Sequence, residues 1–319
     1  MSTAEDNAAR PKVVLSGGAG LVGQNLIARL RQSRYTDLVV LDKHRTNLEI
    51  LRRLHPEVTA ECVDLADAGP WERHFASAAA VVILHAQIGD LHAEPFIRNN
   101  VTATERVLEV THRYSVPFVV HVSSSVVQSS ANDHYTNTKR TQEKMVAASG
   151  LPAVILRPTL MFGWFDRKHL GWLARFMRRT PVFPIPGDGR YMRQPLYVGD
   201  FCGIIARCIE MRCAGGTYNI SGLEKIDYIE MIREIRRASG AGTPLVRLPV
   251  GLFQALLRLW AVFDRNPPFT ADQLRALIAH DEFEVIDWPK IFGVPATPFA
   301  AAIEQTLNHP TYGRIVLDF

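Results

Sequence analysis

The first half of the chain alternates short apolar runs with amphipathic stretches. The runs are continuously apolar, which is typical of strands in a parallel sheet covered by helices on both faces. They are Lys12–Ser16, Leu38–Asp42, Val58–Asp64, Ala80–Ala86, Phe118–Ser124 and Ala153–Pro158. Helix-like stretches between them include Leu21–Gln32, Thr46–Leu54, Pro95–Tyr114 and Tyr135–Ser149. Because crossovers between parallel strands are right-handed, the pattern predicts an α/β fold with a doubly wound parallel sheet, the Rossmann arrangement.

Proline and glycine become frequent after Pro158, and this change predicts a second lobe. The first pattern returns around Tyr197–Ile220, where a helix-like stretch precedes the strand-like run GTYNI. A length of 319 residues suits two lobes. We predict a Rossmann domain formed by residues 10–158 and 197–222. A smaller, mainly helical C-terminal substrate lobe is then formed by residues 159–196 and 223–319.

Composition excludes several classes of protein. The formal charge is +4 and no block of like charges occurs, which argues against a nucleic-acid binder. The four cysteines form no C-x-x-C pair and the histidines show no ligand spacing, so we predict no metal. The polar start lacks the apolar core of a signal peptide, and no apolar run is long enough to span a membrane. With sparse cysteines, this favours a cytoplasmic protein.

The segment Pro249–Phe263 is amphipathic and carries a tryptophan. We predict that it packs as a helix in the second lobe, while attachment to a membrane surface stays an alternative.

Three glycines lie between the first predicted strand and the first predicted helix. Gly17, Gly20 and Gly23 allow a tight turn and a close approach of the backbone to a pyrophosphate. The free N–H groups of the helix start, at Leu21 and Val22, would then face that anion. A strand before the loop and a helix after it are the context that a dinucleotide site requires.

Asp42 ends the second predicted strand, where a carboxylate can hold both hydroxyls of an adenosine ribose. A carboxylate there repels a 2′-phosphate, so the cofactor is predicted to be NAD, with NADP less favoured. Lys43 and Arg45 leave NADP open, because either could bind such a phosphate.

Tyr135 and Lys139 are four residues apart at a predicted helix start. The pair alone has two interpretations: a solvated helix face, in which the lysine stem lies along the tyrosine ring, or a catalytic pair.

The chain resembles the extended short-chain dehydrogenase/reductase superfamily, in its NAD-dependent epimerase/dehydratase branch. The resemblance covers nearly the whole chain and is carried by segments in the family's order: GGAGLVG, LD at Asp42, VDLAD at Val63–Asp67, LHAQ at Leu84–Gln87, NNVTATERVLEV at Asn99–Val110, HVSSS at His121–Ser125, YTNTK at Tyr135, ILRPTLMFG at Ile155–Gly163 and PGDGRYMRQPLYVGD at Pro186–Asp200.

The resemblance implies cofactor contacts from Asp64 and Leu65 at the adenine, from His85 and Ala86 across the strand ends, and from Pro158. Asn100 would brace the nicotinamide side of the active site.

The resemblance also implies catalytic roles. Tyr135 would exchange a proton with the substrate, and the Lys139 ammonium would lower the pKa of the phenol and bind the nicotinamide ribose. A serine would orient the substrate oxygen. Ser124 fits the family's run best, with Ser125 as its rival.

The chain departs from the family pattern around this serine. Ten residues lie between Ser124 and Tyr135, fewer than in many sugar-nucleotide enzymes, and Gln128 replaces the usual tyrosine. The sugar dehydratases carry an Asp-Glu pair after the hydroxyl, where this chain has Val126 and Val127. Dehydration is therefore disfavoured.

The substrate side is predicted from arginines, whose planar guanidinium groups suit phosphate oxygens. Arg193 matches the family's diphosphate-binding arginine, and Arg190 lies three residues before it. The helix arginines Arg175, Arg178 and Arg179 are either solvated or near the substrate. The aromatic residues Phe162, Trp164 and Phe165 either stack on a sugar or base, or belong to the core.

Three functional hypotheses follow from these residues. The leading one is an NAD-dependent oxidoreductase or epimerase of a nucleotide-diphosphate sugar, expected to form a homodimer through the helices Pro95–Tyr114 and Tyr135–Ser149. The second is an NAD(P)-dependent dehydrogenase or reductase of an apolar, sterol-like or lipid, alcohol or ketone. The third is a non-catalytic NAD-binding scaffold.

Overall fold

A parallel seven-stranded sheet forms the centre of the molecule. The computed structural model describes residues 11–31, 37–166, 168–263, 274, 277–278 and 284–318. The strands follow the order β11-β6-β5-β4-β1-β2-β3, and every neighbouring pair is parallel. Their bounds are β1 Lys12–Ser16, β2 Asp37–Asp42, β3 Thr59–Cys62, β4 Ala78–Ile83, β5 Val119–Val122, β6 Ala153–Pro158 and β11 Thr217–Ile220. The predicted doubly wound sheet is confirmed.

Helices cover both faces of this sheet, because alternate residues of each strand point to opposite sides. One core contains Val13 and Leu15 of β1, while Val14 belongs to the other. The helices that connect and flank the strands are α1 Leu21–Leu30, α2 Arg45–Leu54, α3 Ala93–Phe96, α4 Ala103–Arg113, α5 His134–Ala148, α6 Leu170–Met177 and α7 Val198–Met211.

The predicted helix Pro95–Tyr114 is interrupted. The short α3 is followed by a π-helical segment, Ile97–Thr102, before α4 begins. A π-helical turn widens the helix by one residue and is frequent at functional sites. The predicted helical stretch is therefore present, but the apolar periodicity of the sequence did not indicate the π-helical segment within it.

A second core lies beyond the sheet and packs α6 against α8 (Tyr228–Ser239) and a later helix. Short strand pairs brace it: β7 Met161–Phe162 with β10 Leu196–Tyr197, β8 Phe183–Pro186 with β13 Leu245–Leu248, and β9 Met192–Arg193 with β12 Ile226–Asp227. The last helices are α9 Val250–Phe263, α10 Trp288–Phe292 and α11 Phe299–Asn308.

The predicted division into two lobes does not hold for α10, one of the final helices. Trp288 and Phe292 of α10 pack into the core that also holds β1 and α7, although they follow the second lobe in sequence. The boundary at residue 223 therefore stays a prediction.

The helix predicted over Pro249–Phe263 is present as α9. No helix of the described residues is long and apolar enough to cross a bilayer.

Gly17 offers a test of the loop between β1 and α1. Its φ is +75°, and a Cβ there would lie 2.4 Å from the backbone of His85. Gly150 also has a positive φ, +72°, but a Cβ there meets nothing within 4 Å. We expect Gly150→Ala to lower the free energy of unfolding by about 1–2 kcal/mol from the backbone conformation alone.

Gly17→Ala should lower the free energy of unfolding by about 3–5 kcal/mol, because the clash with a fixed strand end is added to the same backbone cost. Urea unfolding of both variants without cofactor measures the difference. Equal losses would contradict the close packing of this loop.

Candidate active site

The glycine loop lies between the carboxyl ends of β1 and β4, where the strand order reverses. Such a reversal leaves a crevice in which doubly wound sheets bind ligands. Gly23 packs α1 onto the loop, since a Cβ there would lie 2.2 Å from the carbonyl oxygen of Gly18. Gly20 caps α1 without a side-chain hydrogen bond, and a Cβ there would meet only the Gly17 carbonyl, at 3.7 Å. No side chain at residue 20 thus blocks access to the first N–H groups of α1, at Leu21 and Val22. This leaves room for a pyrophosphate at the start of the helix.

Asp42 lies at the end of β2, next to this loop. Its two carboxylate oxygens accept hydrogen bonds from the backbone N–H groups of Ala19, at 3.0 Å, and His44, at 2.9 Å. Burial raises the pKa of the Asp42 carboxyl above its ordinary value, although these hydrogen bonds oppose that effect. The carboxylate is thereby fixed in the position expected for a ribose partner.

The predicted adenine residues follow β3. Leu65 is buried, while the Asp64 carboxylate accepts from the Ala66 N–H at 3.0 Å and pairs with Arg98 at 3.2 Å. Lys43 donates to the Asn99 side chain at 2.6 Å. These contacts close the edge of the crevice on the side away from the catalytic residues.

His85 is held in the interior by a chain of hydrogen bonds that the sequence did not reveal. Its Nδ1 lies 3.0 Å from Ser16 Oγ and its Nε2 lies 2.9 Å from Thr104 Oγ1. Ser16 donates to the Val82 carbonyl, and Gln142 donates to Thr104 at 2.7 Å. All four bonds are satisfied when Nδ1 of a neutral imidazole donates to Ser16 and Thr104 donates to Nε2.

Burial and, to a smaller extent, the nearby Lys139 ammonium lower the pKa of His85 to about 3. The imidazole is therefore neutral at any physiological pH. Because both ring nitrogens are used inside the protein, the neighbouring exposed Ala86 is the residue of this pair that faces the crevice. Contact of His85 with a cofactor stays a prediction.

Asn100 lies in the π-helical segment and is fully buried. Its side-chain oxygen accepts from the Gln87 N–H at 2.6 Å, and its nitrogen donates to the Gln87 carbonyl at 3.2 Å. The same nitrogen donates to Thr138 at 2.9 Å. Asn100 thus ties the loop after β4 to α5 one residue before Lys139, which is the bracing position that the resemblance implies.

The predicted catalytic side chains meet at the start of α5. Asp133 caps this helix by accepting from the Thr136 N–H at 2.8 Å. Tyr135 follows in the first turn and lies close enough to Ser124 for that side chain to lower the pKa of its phenol. Ser124 is the second residue after β5 and also caps a short 3₁₀ turn. No contact in the described part of the chain brings Ser125 to Tyr135, so the geometry favours Ser124.

Lys139 lies one turn further along α5 with its side chain almost fully buried. Its ammonium donates to the Val122 carbonyl at the end of β5, at 3.0 Å. Burial lowers the pKa of Lys139 to about 7, while the Glu143 carboxylate raises it. Glu143 is itself held by both ends of the Arg157 guanidinium, at 2.9 Å and 2.6 Å. Because its side chain is buried, Lys139 does not lie on a solvated helix face, and that interpretation of the Tyr-Lys pair is excluded for the lysine.

Burial raises the pKa of the Tyr135 phenol above its ordinary value, and the Ser124 side chain only partly opposes this. At neutral pH the phenol therefore carries its proton. The lowering of this pKa by the Lys139 ammonium stays a prediction.

Arg140 holds the short segment between the serine and the tyrosine. Its guanidinium donates to the carbonyls of Val127 and Ala131, both at 3.0 Å, and to that of Ser129. Sequence analysis missed this residue, because an arginine on a helix face carries no sign of loop carbonyls on the other side of a turn.

The arginines predicted to bind the substrate converge less closely on one site than predicted. Arg190 is exposed on the turn that Asp188 caps, whereas Arg193 is half-buried and donates to the Met192 carbonyl. Burial raises the pKa of the Tyr228 phenol, and the nearby Arg193 guanidinium partly opposes this rise. Their roles stay predictions. Arg175 and Arg178 donate to backbone carbonyls of Asp166 and Ser239.

Two of the three aromatic residues after β6 belong to the packed interior. Phe162 and Phe165 are buried. The Trp164 ring lies under the Arg29 guanidinium, 4.2 Å away, and its N–H donates to the Gln305 carbonyl. The core interpretation therefore holds for Phe162 and Phe165, whereas Trp164 is half-buried and its role stays a prediction.

Comparison with known proteins agrees with this geometry. A family model described as the NAD dependent epimerase/dehydratase family matches residues 13–221. A dTDP-glucose 4,6-dehydratase of Streptomyces niveus is 26% identical over 270 residues, which cover 74% of this chain and 80% of that protein. A ceramide reductase of Caulobacter vibrioides is 25% identical over 295 residues, which cover 90% of each chain.

Solved structures show the same fold. The UDP-glucuronic acid 4-epimerase of Bacillus cereus, in complex with NAD, has a TM-score of 0.70 at 18% identity and covers 92% of this chain and 96% of its own. The enzyme WbmG of Bordetella bronchiseptica, also with NAD, has a TM-score of 0.72 at 18% identity and covers 98% and 97%.

The neutral His85 predicts a pH dependence of stability. Its pKa is about 3 in the folded protein and near 6.5 in the unfolded chain, so the unfolded chain binds the extra proton first as the pH falls. Stability is complete above pH 6.5 and falls between there and pH 3 by up to about 1.4 kcal/mol per pH unit. His85→Gln should remove this contribution and flatten the slope.

Urea unfolding from pH 7.5 to pH 4.5 measures the slope. The exposed His112→Gln serves as a matched control and should keep the wild-type slope. An unchanged slope in His85→Gln would show that the His85 pKa is the same in the folded protein as in the unfolded chain.

Proposed function

This chain belongs to the NAD dependent epimerase/dehydratase family, and on that premise we propose that it is an NAD-dependent oxidoreductase or epimerase of a nucleotide-diphosphate sugar. The observation that carries the proposal is the arrangement of Ser124, Tyr135 and Lys139 at the carboxyl edge of the sheet, beside the glycine loop. The dTDP- and UDP-sugar enzymes among the relatives support the substrate class.

Asp42 supports NAD over NADP. Its carboxylate is fixed by two backbone N–H groups and keeps lone pairs for the ribose hydroxyls, while its charge repels a 2′-phosphate. Lys43 is engaged by Asn99, which leaves the exposed Arg45 as the nearer candidate for a phosphate. When bound, the nicotinamide ring would accept or supply the hydride.

The chain's own residues handle the proton. Ser124 lies close enough to Tyr135 to lower the pKa of its phenol, so one substrate oxygen would be within reach of both hydroxyls. Because the pKa of Tyr135 is raised, the phenol is ready to donate a proton to an alkoxide as a ketone is reduced. Lys139 stabilises the phenolate that remains, to the extent that the ammonium is charged.

A second candidate is reduction of a lipid ketone. The ceramide reductase covers 90% of this chain, against 74% for the sugar dehydratase, so its likeness includes more of the second lobe. The short segment between Ser124 and Tyr135 and the two valines after Ser124 favour this candidate over dehydration of a sugar.

We further propose a cytoplasmic homodimer that pairs through α4 and α5. All four cysteines are free thiols, which supports a reducing compartment. Light scattering of the purified protein would test the dimer, and a monomer at micromolar concentration would contradict it.

Tyr135→Phe tests the proton relay. Loss of the phenolic hydroxyl should lower kcat by about 10²–10⁴-fold while NAD still binds, because the ring keeps its packing and only the proton transfer is removed. Tyr114→Phe, at the end of α4, is the matched control and should keep its activity. Wild-type turnover by Tyr135→Phe would contradict the proposed proton transfer by Tyr135.

A substrate panel separates the two candidates. We expect dTDP- and UDP-sugars to be epimerised without added cofactor if the NAD is recycled within each turnover, which chromatography of the sugars would detect. Consumption of NADH with a long-chain ketolipid in micelles, together with inert sugars, would instead establish the lipid reductase.

A further inference from the structure

Helix α9 presents an apolar face to the outside. Leu252, Leu256 and Leu259 follow one another at helical spacing on the same face and are 50%, 47% and 57% exposed. Phe253, about 90° around the helix from this face, is buried. A surface helix of a globular protein normally has the reverse pattern, with charged residues outward, so this face needs an apolar or interfacial surrounding.

Along the sequence, the stretch that contains α9 has charges of one sign. It has no acidic residue between Glu234 and Asp264 and contains Arg236, Arg237, Arg247 and Arg258. Of these, Arg237 is paired with Glu234. Arg258 is exposed on α9 itself. Arg236 and Arg247 line a depression beside β13, together with Arg233, Leu245 and Val246. Guanidinium groups beside apolar side chains match the phosphates and acyl chains of an anionic lipid surface.

The start of α9 also lies beside the turn at residues 187–190, called the substrate turn because it carries Arg190, a predicted substrate residue. Strand β13 leads directly into α9 and pairs with β8, which leads into the turn at Gly187. The Gly187 N–H donates to the Leu248 carbonyl at 2.7 Å, and a Cβ on Gly187 would lie 3.3 Å from Val250. The start of α9 is thus fixed to the segment that carries Arg190.

We propose that α9 binds in the plane of an anionic lipid bilayer, with its three exposed leucines in the acyl boundary and the arginines at the phosphates. A helix that lies on the surface needs only this one apolar face, which agrees with its being too short and too exposed on one side to span. The proposal holds whichever substrate class is correct, and it would place the substrate turn at the membrane surface.

The test is sedimentation of the full chain with phosphatidylcholine vesicles that contain or lack phosphatidylglycerol. We expect binding to the anionic vesicles, weakened by high salt because the arginines are screened. Leu252→Ser combined with Leu256→Ser should reduce binding at least about tenfold. Met211→Ser combined with Ile291→Ser is the matched control, since these residues are 51% and 42% exposed elsewhere, and it should bind like the wild type.

A second variant keeps the test decisive if the serine variant does not fold. Arg247→Glu with Arg258→Glu should reduce binding by about fivefold or more for each arginine. The proposal is overturned if wild type does not sediment with anionic vesicles, if it binds neutral vesicles equally, or if the leucine variant binds unchanged. If the wild type does not bind vesicles but forms a dimer that the leucine variant has lost, the leucine face would instead be a contact with a second copy of this chain. Turnover of a water-soluble substrate tests the enzymatic proposal separately.

Discussion

A buried ammonium group organises the active site of this protein. Lys139 has left bulk water for the interior at a large cost in solvation, and a single carbonyl, that of Val122, binds it directly. The nearest histidines, His85 and His121, are both neutral because burial lowers their pKa values. Glu143 is the carboxylate that raises the pKa of the lysine, and Arg157 orients it. The charge of Lys139 near neutral pH is therefore a balance between burial and one carboxylate.

The same region is fixed from several secondary-structure elements. Asn100 ties the loop after β4 to α5, and the chain from Ser16 through His85 and Thr104 to Gln142 joins β1, α4 and α5. These hydrogen bonds are buried, where each is electrostatically stronger than in water and where a missing partner is costly. The polar network therefore specifies the mutual position of the strand ends and α5 more narrowly than hydrophobic packing alone.

Much of the fold could be predicted from the sequence, since continuous apolar runs separated by helical stretches permit few topologies. β1 and β6 were predicted to the residue, whereas the predicted run to Ala86 ends at Ile83 as β4, before His85 meets Gly17. The identities of Tyr135, Lys139 and the glycines could be predicted because their spacing along the chain carries the chemistry. The partners of His85 could not, since Thr104 and Gln142 are distant in sequence and ordinary in type. The pKa of Tyr135 could also not be predicted from the sequence, because it depends on how deeply the ring is buried.

The tie between Arg140 and the carbonyls of Val127, Ser129 and Ala131 has a consequence for how the substrate range of this enzyme can change. The segment between Ser124, the predicted catalytic serine, and Tyr135 cannot be lengthened by simple insertion. Each added residue would move carbonyls away from the Arg140 guanidinium, which is held on α5. Laboratory evolution toward bulkier or smaller ligands should therefore proceed by replacing side chains outside this segment. Insertions between Ser124 and Tyr135 should be tolerated only after Arg140 itself has been replaced.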